Sequence, residues 1–218
     1  MQSTRPDVAF DMLMLSMKFQ SGVVEDILHL NKVIKKVKLK EGFIKYPYLG
    51  SPGSWKVCLF SDASFANLPD GVSSAMAYIV FLVGNAVCPL TWKANKIVRV
   101  VKSTLAAEAL SLLAGLDEAM YLQKMILDLF PDISLPVYAK VDNKDLVEAI
   151  YSTKVVKEPR LRIEIASVKE SVQNGLVESV SWIESKDQLA DCMTKKGVSG
   201  ERHMSILQTG SLDPVFLM

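Results

Sequence analysis

The spacing of hydrophobic residues changes near residue 55. Before it, apolar residues recur with the spacing of helices, which predicts one helix beginning near Pro6 and a second over about 23–38. After it, residues 55–62 alternate between apolar and polar as in a strand. Residues 46–53 between them are rich in proline and glycine, and they mark a boundary.

The centre of the chain predicts a sheet with helices. Residues 74–83 form a nearly continuous apolar run, which is typical of a central strand, and Gly84-Asn85 indicates a hairpin to a return strand. The further elements are a return strand at 87–92, a helix from 103 to before Phe130-Pro131, a strand at 136–142, helices at 144–151 and 160–174, and a strand at 177–183. A strand–helix–strand step makes parallel neighbours. We therefore predict an α/β fold with a five-stranded mixed sheet, three antiparallel strands and then two parallel ones, flanked by helices on both faces.

The last part of the chain carries two weaker signals. Ser185-Lys-Asp-Gln188 has the spacing of a capping box, which predicts a helix that carries Asp191. From Gly197 onward the pattern predicts a weak helix around 204–208 and a frayed end.

One acidic residue interrupts the apolar helix that follows Lys102. On a helix, Glu108 shares a stripe with Leu105, Leu112 and Leu116, so its carboxylate lies on the inward face. Burying a lone carboxylate costs several kcal/mol unless a partner or a metal ion holds it. Either Glu108 reaches water at the edge of the stripe, or a cation compensates its charge.

Three aspartates follow the predicted elements in a related way. Asp62 and Asp142 come at the ends of two strands that we predict to be parallel neighbours, and Asp191 lies in the last predicted helix. Each alone is readily explained as a turn or cap residue. Together with Glu108 they would meet at one sheet edge, where open α/β sheets place their sites. Four clustered carboxylates repel one another, and two Mg²⁺ ions about 4 Å apart would neutralise them and support phosphodiester hydrolysis.

Composition narrows the alternatives. The chain has 218 residues, half of them hydrophobic, and a net charge of +1, which excludes a disordered chain and gives no global basic signal for nucleic acid. Its three cysteines lack CxxC spacing, which indicates reduced thiols in an intracellular protein. The sequence has no G-x-S-x-G, no GK[ST] loop and no apolar run long enough to span a bilayer.

A local basic patch precedes the helix that carries Glu108. Its members are Lys93, Lys96, Arg99 and Lys102, followed by Ser103 and Thr104 at the helix start. Backbone N–H groups at a helix start favour phosphate, so this segment is a candidate nucleic-acid contact, with a plain solvated loop as the alternative. Asn143, next to Asp142, is a candidate hydrogen-bonding partner for a substrate near the scissile phosphate.

The acidic blocks resemble those of a known family. They are Ser61-Asp62-Ala-Ser, Lys102-Ser-Thr-Leu-Ala-Ala-Glu108-Ala, Val141-Asp142-Asn143 and Asp187-Gln-Leu-Ala-Asp191-Cys-Met-Thr-Lys. In this order and spacing they are similar to the four blocks of the ribonuclease H domain of copia-type LTR retrotransposon Pol polyproteins. The resemblance implies a ribonuclease H-like fold, catalytic and metal-binding roles for Asp62, Glu108, Asp142 and Asp191, two Mg²⁺ or Mn²⁺ ions, and cleavage of the RNA strand of an RNA/DNA hybrid.

The same resemblance implies a division of the chain. Residues 4–10 are similar to a segment near the end of the reverse transcriptase of these polyproteins. We therefore expect residues 1–50 to be a helical remnant of that enzyme, 51–197 the ribonuclease H-like domain and 198–218 a tail. The expected partners are the hybrid and the reverse transcriptase portion, in a cytoplasmic virus-like particle or the nucleus, without a membrane. The alternatives are a catalytically silent nucleic-acid-binding remnant and, more weakly, an integrase-type core.

Overall fold

The computed structural model describes residues 5–40, 42–153 and 155–217; residues 1–4 and 41 of the predicted N-terminal region, Lys154 and Met218 of the tail lie outside them. The helices are α1 (Ala9–Met17), α2 (Val24–Leu39), α3 (Thr104–Leu129), α4 (Lys144–Tyr151), α5 (Pro159–Gln173) and α6 (Glu201–Thr209). The strands are β1 (Lys56–Ser64), β2 (Ala75–Val83), β3 (Val87–Lys96), β4 (Val137–Val141) and β5 (Ser179–Trp182). Among the described residues, no helix combines the length and the apolar character that crossing a bilayer requires.

The five strands form one mixed sheet in the order β3-β2-β1-β4-β5. β1 and β3 each run antiparallel to β2, whereas β4 runs parallel to both β1 and β5. The helix α3 makes the crossover between β1–β3 and β4, and α4 with α5 makes the next one. This confirms the predicted α/β class, with three antiparallel strands followed by two parallel ones.

The central strand β1 separates two hydrophobic cores. Val57 and Leu59 point into the core that α3 and α5 cover, and Cys58 and Phe60 point into the core on the opposite face. Both pairs are almost completely buried. Residues 57–60 of this strand are apolar at every position and do not alternate with polar ones as predicted. Because alternate residues of a strand face opposite sides, this stretch requires cover on both faces.

The helix α3 lies directly against β1 and β2. A side chain at Gly115 would put its Cβ 2.7 Å from Leu59 Cδ1, so any larger residue would force the buried Leu59 side chain to shift. The buried hydroxyl of Ser111 contacts the backbone oxygens of Asp62 and Ala77 at 2.8 and 3.0 Å. Since Ser111 lies about one turn after Glu108, this contact determines where Glu108 lies relative to β1.

The opposite core is closed by both ends of the described chain. Phe216 is fully buried, and its ring lies 5.3 Å from that of Phe60 and 5.1 Å from that of Phe81, in edge-to-face geometry. Ala9 of α1 joins the same core. The helix predicted around 204–208 is confirmed as α6. The expectation of a frayed end is wrong for residues 210–217, because the apolar residues there cover a sheet face that would otherwise be exposed.

Two local predictions also fail. The segment that carries Asp191 forms two short 3₁₀ turns, Ser185–Asp187 and Asp191–Met193, instead of a helix. Gln188 explains this, since its side-chain amide donates to the Ser61 carbonyl at 2.9 Å and accepts from the Ala190 N–H at 3.1 Å. Tertiary hydrogen bonds thus replace the intrahelical ones.

The predicted basic loop is partly a strand. β3 continues to Lys96, so Lys93 and Lys96 lie on an edge strand, and only Arg99 and Lys102 lie in the connection to α3. Pairing with β2 extends from Ala75↔Lys96 to Val83↔Val87, and it holds these polar residues in the sheet.

The packing of the tail gives a first testable prediction. Phe216→Ala should lower the free energy of unfolding by about 3–5 kcal/mol, because it leaves a cavity between Phe60 and Phe81. Leu217→Ala is the matched control: Leu217 is 66% exposed, so the change should be within about 0.5 kcal/mol. Urea unfolding followed by circular dichroism measures both. Equal effects of the two variants would show that the tail does not pack on the sheet.

Candidate active site

Three carboxylates from separate elements converge at one edge of the sheet. Asp62 lies in β1, Glu108 in α3, and Asp142 directly after β4. One oxygen of each lies within 4.8 Å of the others. Asp62 is completely buried and Glu108 is 4% exposed, while Asp142 is partly exposed. The cluster therefore opens to solvent on the side of Asp142.

The sheet register explains why Asp62 and Asp142 meet. β1 and β4 are parallel and paired up to Phe60↔Lys140, so Asp62 and Asp142 follow that pair at the same level. The prediction that β1 ends at Asp62 is wrong by two residues, since β1 continues to Ser64 and pairs there with β2 alone. This extension keeps the Asp62 backbone rigid beyond the last residue of β4.

Glu108 reaches the cluster from the first turns of α3. The helix begins after Ser103, whose side chain accepts a hydrogen bond from the Ala106 N–H at 3.2 Å. Burial raises the pKa of Glu108, and the nearby charges of Asp62 and Asp142 raise it further. Its Oε2 atom is buried without a hydrogen-bond partner, whereas the Ala63 N–H donates to the carboxylate. A buried carboxylate oxygen without a donor is the arrangement that a cation satisfies.

Asp191 joins the site through a lysine. Lys195 Nζ lies 2.5 Å from Asp191 Oδ1 and 3.3 Å from Asp62 Oδ1. Burial alone would lower the pKa of Lys195, but the attraction of Asp62 and Asp191 outweighs burial and raises it. For Asp62 the balance is opposite: burial raises its pKa more than Lys195 and the hydrogen bond from the Thr194 hydroxyl lower it.

Several neutral residues hold these acids in place. Sequence reasoning assigned none of them a role at this site, since Ser185 was predicted only as a helix cap. The Ser185 hydroxyl donates to Asp142 Oδ2 at 2.8 Å, and the indole N–H of Trp182 donates to the Asp142 carbonyl at 3.1 Å. The side-chain amide of Asn67 donates to the Thr194 carbonyl at 2.7 Å. Thr194 and Lys195 lie within the block that carries Asp191, and that block is the signal that could have revealed them.

The residues predicted to bind substrate have several different contacts in the structure. Asn143 caps α4, accepting from the Leu146 N–H at 3.0 Å. Lys96 Nζ lies 3.1 Å from Asp70 Oδ2, and an Arg99 guanidinium nitrogen lies 2.5 Å from Glu164 Oε1. The remaining positions at the start of α3 are Lys102 and Thr104, which are exposed, and Ser103, which caps the helix. Ion pairs already engage two of the predicted cations.

The donor set fits a divalent cation with a preference for oxygen. Asp62, Glu108 and Asp142 provide carboxylate oxygens at close range. Asp191 is linked to them by Lys195, which contacts both Asp191 and Asp62. Hard oxygen ligands with an open side suit Mg²⁺ or Mn²⁺, which keep water or phosphate in their remaining positions. The orphaned Glu108 Oε2 and the raised pKa values of Asp62 and Glu108 indicate a site that positive charge would stabilise.

The raised pKa of Glu108 gives a second prediction. The folded protein holds this proton more tightly than the unfolded chain, where glutamic acid titrates near 4.3. In the absence of divalent cations, stability should therefore fall as the pH rises from about 5, by up to about 1.4 kcal/mol per pH unit. Glu108→Gln, which cannot ionise, should flatten this dependence.

The control for this prediction is Glu170→Gln, which changes an exposed glutamate on α5. Urea unfolding in EDTA across the pH range measures all three proteins. If Glu108→Gln and the wild type show the same pH dependence, the carboxylate is not destabilised by its surroundings.

Comparisons with known proteins found similar sequences and similar solved structures. No family model matches the chain. The retrovirus-related Pol polyproteins from transposons RE1 and RE2 of Arabidopsis thaliana are each 26% identical to it over 198 and 197 residues, which is 88% of this chain. The chain spans only 13% of the length of these relatives.

Solved structures of low sequence identity were also found. The N-terminal RNase H domain of a Mycobacterium tuberculosis protein aligns with a TM-score of 0.48 at 18% identity, over 70% of this chain and 97% of its own. An RNase H1 isolated from compost, in complex with an RNA/DNA hybrid, aligns with a TM-score of 0.46 at 15% identity, over 68% and 99%. The fold itself is defined by the strand order and directions described above. The chain is thus similar in sequence, over 88% of its length, to the retrovirus-related Pol polyproteins of two transposons.

Proposed function

We propose that the chain is the ribonuclease H domain of a copia-type Pol polyprotein and that it cleaves the RNA strand of RNA/DNA hybrids. The observation that carries the proposal is the convergence of Asp62, Glu108 and Asp142 within 4.8 Å, with Asp191 beside them. The relationship to transposon Pol polyproteins supports it, since that is the class of protein suggested by the four acidic blocks.

The proposed cofactor is a pair of Mg²⁺ ions, with Mn²⁺ as the substitute. Asp62, Glu108, Asp142 and Asp191 would hold the ions. Such a pair supplies an activated water and stabilises the leaving oxygen in phosphodiester hydrolysis. Hydrogen bonds from two uncharged residues orient the carboxylates before a substrate binds. The Ser185 hydroxyl orients the carboxylate of Asp142, and the Thr194 hydroxyl orients that of Asp62. Burial of Asp62 and Glu108 excludes water from the inner side of the cluster.

The proposed substrate contacts lie around this edge. Lys102, Ser103 and Thr104 at the start of α3 would bind phosphate, where backbone N–H groups and a positive charge favour an anion. Lys96 and Arg99 would add phosphate contacts if they exchange their carboxylate partners for the nucleic acid. Asn143, beside Asp142, would hydrogen-bond near the scissile phosphate. Selectivity for the hybrid would come from 2′-hydroxyl contacts and A-like helix shape.

The proposed setting rests on the resemblance to copia-type Pol polyproteins. The reverse transcriptase portion of a Pol polyprotein would be the protein partner, and the site of action would be a cytoplasmic virus-like particle or the nucleus. These proposals concern the longer protein, of which the chain corresponds to a small part.

The decisive prediction concerns hybrid cleavage. With Mg²⁺ or Mn²⁺, the protein should cut the labelled RNA strand of an RNA/DNA hybrid. Asp62→Asn and Asp142→Asn should each lower the rate by about two orders of magnitude or more, as expected when a group that stabilises transition-state charge is removed. Gel analysis of products in each metal measures the rates.

Asp145→Asn is the matched control, since Asp145 is exposed on α4 three residues from Asp142. It should retain the rate of the wild type. Folded wild-type protein that leaves the hybrid intact in both metals would contradict the proposal and favour a catalytically silent nucleic-acid-binding role. Cleavage by Asp62→Asn and Asp142→Asn at the rate of the wild type would contradict the roles proposed for these two carboxylates.

A separate prediction tests the proposed phosphate contact. Lys102→Ala should weaken hybrid binding several-fold. It should also reduce the slope of log affinity against log salt concentration by about one, the contribution of a single phosphate contact. Lys124→Ala is the control, because Lys124 lies 22 residues further along the chain, near the other end of α3, where its ammonium pairs with Asp128. Fluorescence anisotropy with a labelled hybrid over a range of salt concentrations measures both. Identical salt dependence for Lys102→Ala and wild type would place the substrate elsewhere.

A further inference from the structure

Lys195 connects two acids that come from different parts of the fold. Its ammonium group contacts Asp191 Oδ1 at 2.5 Å and Asp62 Oδ1 at 3.3 Å. The Asp62 side chain is completely buried and that of Asp191 is 14% exposed, whereas that of Lys195 is 35% exposed. The lysine therefore reaches inward from the surface and brings a positive charge to a buried carboxylate.

This lysine engages oxygens that the proposed metal ligands would need. Asp62 Oδ1 and Asp191 Oδ1 contact Lys195, and Asp62 Oδ2 accepts from the Thr194 hydroxyl. On the other side of the cluster the contacts are neutral: Asp142 accepts from the Ser185 hydroxyl, and Glu108 Oε2 has no hydrogen-bond partner. The two halves of the cluster thus differ, because a cation of the protein already sits on one of them.

We propose that Lys195 is a built-in counter-cation that holds Asp62 and Asp191 together in the metal-free protein and is displaced when a divalent ion binds between them. The inference rests on the proposed function, since it takes its four carboxylates to be metal ligands. It assigns Lys195 a positioning role. It also implies an order in which the two ions bind: the first binds on the side of Glu108 and Asp142, and the second competes with the lysine.

The side chain is suited to such an exchange. A lysine has a flexible four-carbon stem and a compact charge, so it can turn its ammonium group into solvent without moving the backbone. Its partial exposure leaves a path outward. Two unit charges at the observed separations attract strongly enough to slow or weaken binding of a competing cation, even with the screening found near a protein surface.

The test compares metal binding by Lys195→Met and wild type, using the full chain without nucleic acid. Titration with Mn²⁺, followed by electron paramagnetic resonance of the free ion, gives the number of sites and each Kd. Lys195→Met should bind the second Mn²⁺ about tenfold more tightly, while the first Kd changes much less. In EDTA its Tm should fall, since Asp62 and Asp191 then repel each other without compensation.

Lys196→Met is the matched control, because it removes a charge from the adjacent, exposed residue. It should leave both Kd values within about twofold of wild type. A second Kd that is the same in Lys195→Met and wild type would overturn the inference, and so would an equal change in both Kd values.

A measurement on the wild type guards against a variant that does not fold. The ¹⁵N resonance of the Lys195 ammonium group should move as the second equivalent of Mg²⁺ binds and not with the first. A resonance that stays unchanged up to saturation would refute displacement. Binding of two ions and hybrid cleavage without that movement would overturn only the role of Lys195, whereas absence of any metal binding would overturn the proposed function as well.

Discussion

Repulsion among buried carboxylates is the constraint on which the rest of this structure depends. Asp62 and Glu108 are nearly inaccessible to water, and Asp142 lies close enough to share a cation with them. Such an arrangement is unfavourable in itself, because burial and like charges both disfavour ionisation. The fold must therefore hold the acids together against their mutual repulsion.

The scaffold does this with hydrogen bonds to backbone and tight packing. The hydroxyl of Ser111 ties α3 to the backbone of β1 at Asp62, and Gln188 ties the turn that carries Asp191 to the same strand at Ser61. Gly115 permits the close approach of α3 to Leu59. Asp62 thus lies on a strand that is covered on both faces, and these contacts limit how far the acids around it can separate.

Two basic residues of the chain are held in ion pairs in different places. Lys195 and Arg99 both pair with carboxylates. Lys195 does so inside the cluster, whereas Arg99 pairs with Glu164 of α5. Cations that can exchange a protein carboxylate for an ion or a phosphate compensate charge in the absence of ligand. In this way a chain with a net charge of only +1 can present local positive charge where a polyanion would bind.

The sequence by itself determined the elements, the mixed sheet and the meeting of Asp62 with Asp142 and Glu108. Those follow from local periodicity and from the parallel pairing of neighbouring strands, which short-range rules describe well. Only the tertiary structure decided the turn around Asp191, the contact of Lys195 with Asp62 and the burial of Phe216. Gln188 and Ser61, Lys195 and Asp62, and Phe216 and Phe60 are each more than 120 residues apart in the chain. Contacts between such distant residues override local propensity, and no periodic pattern encodes them.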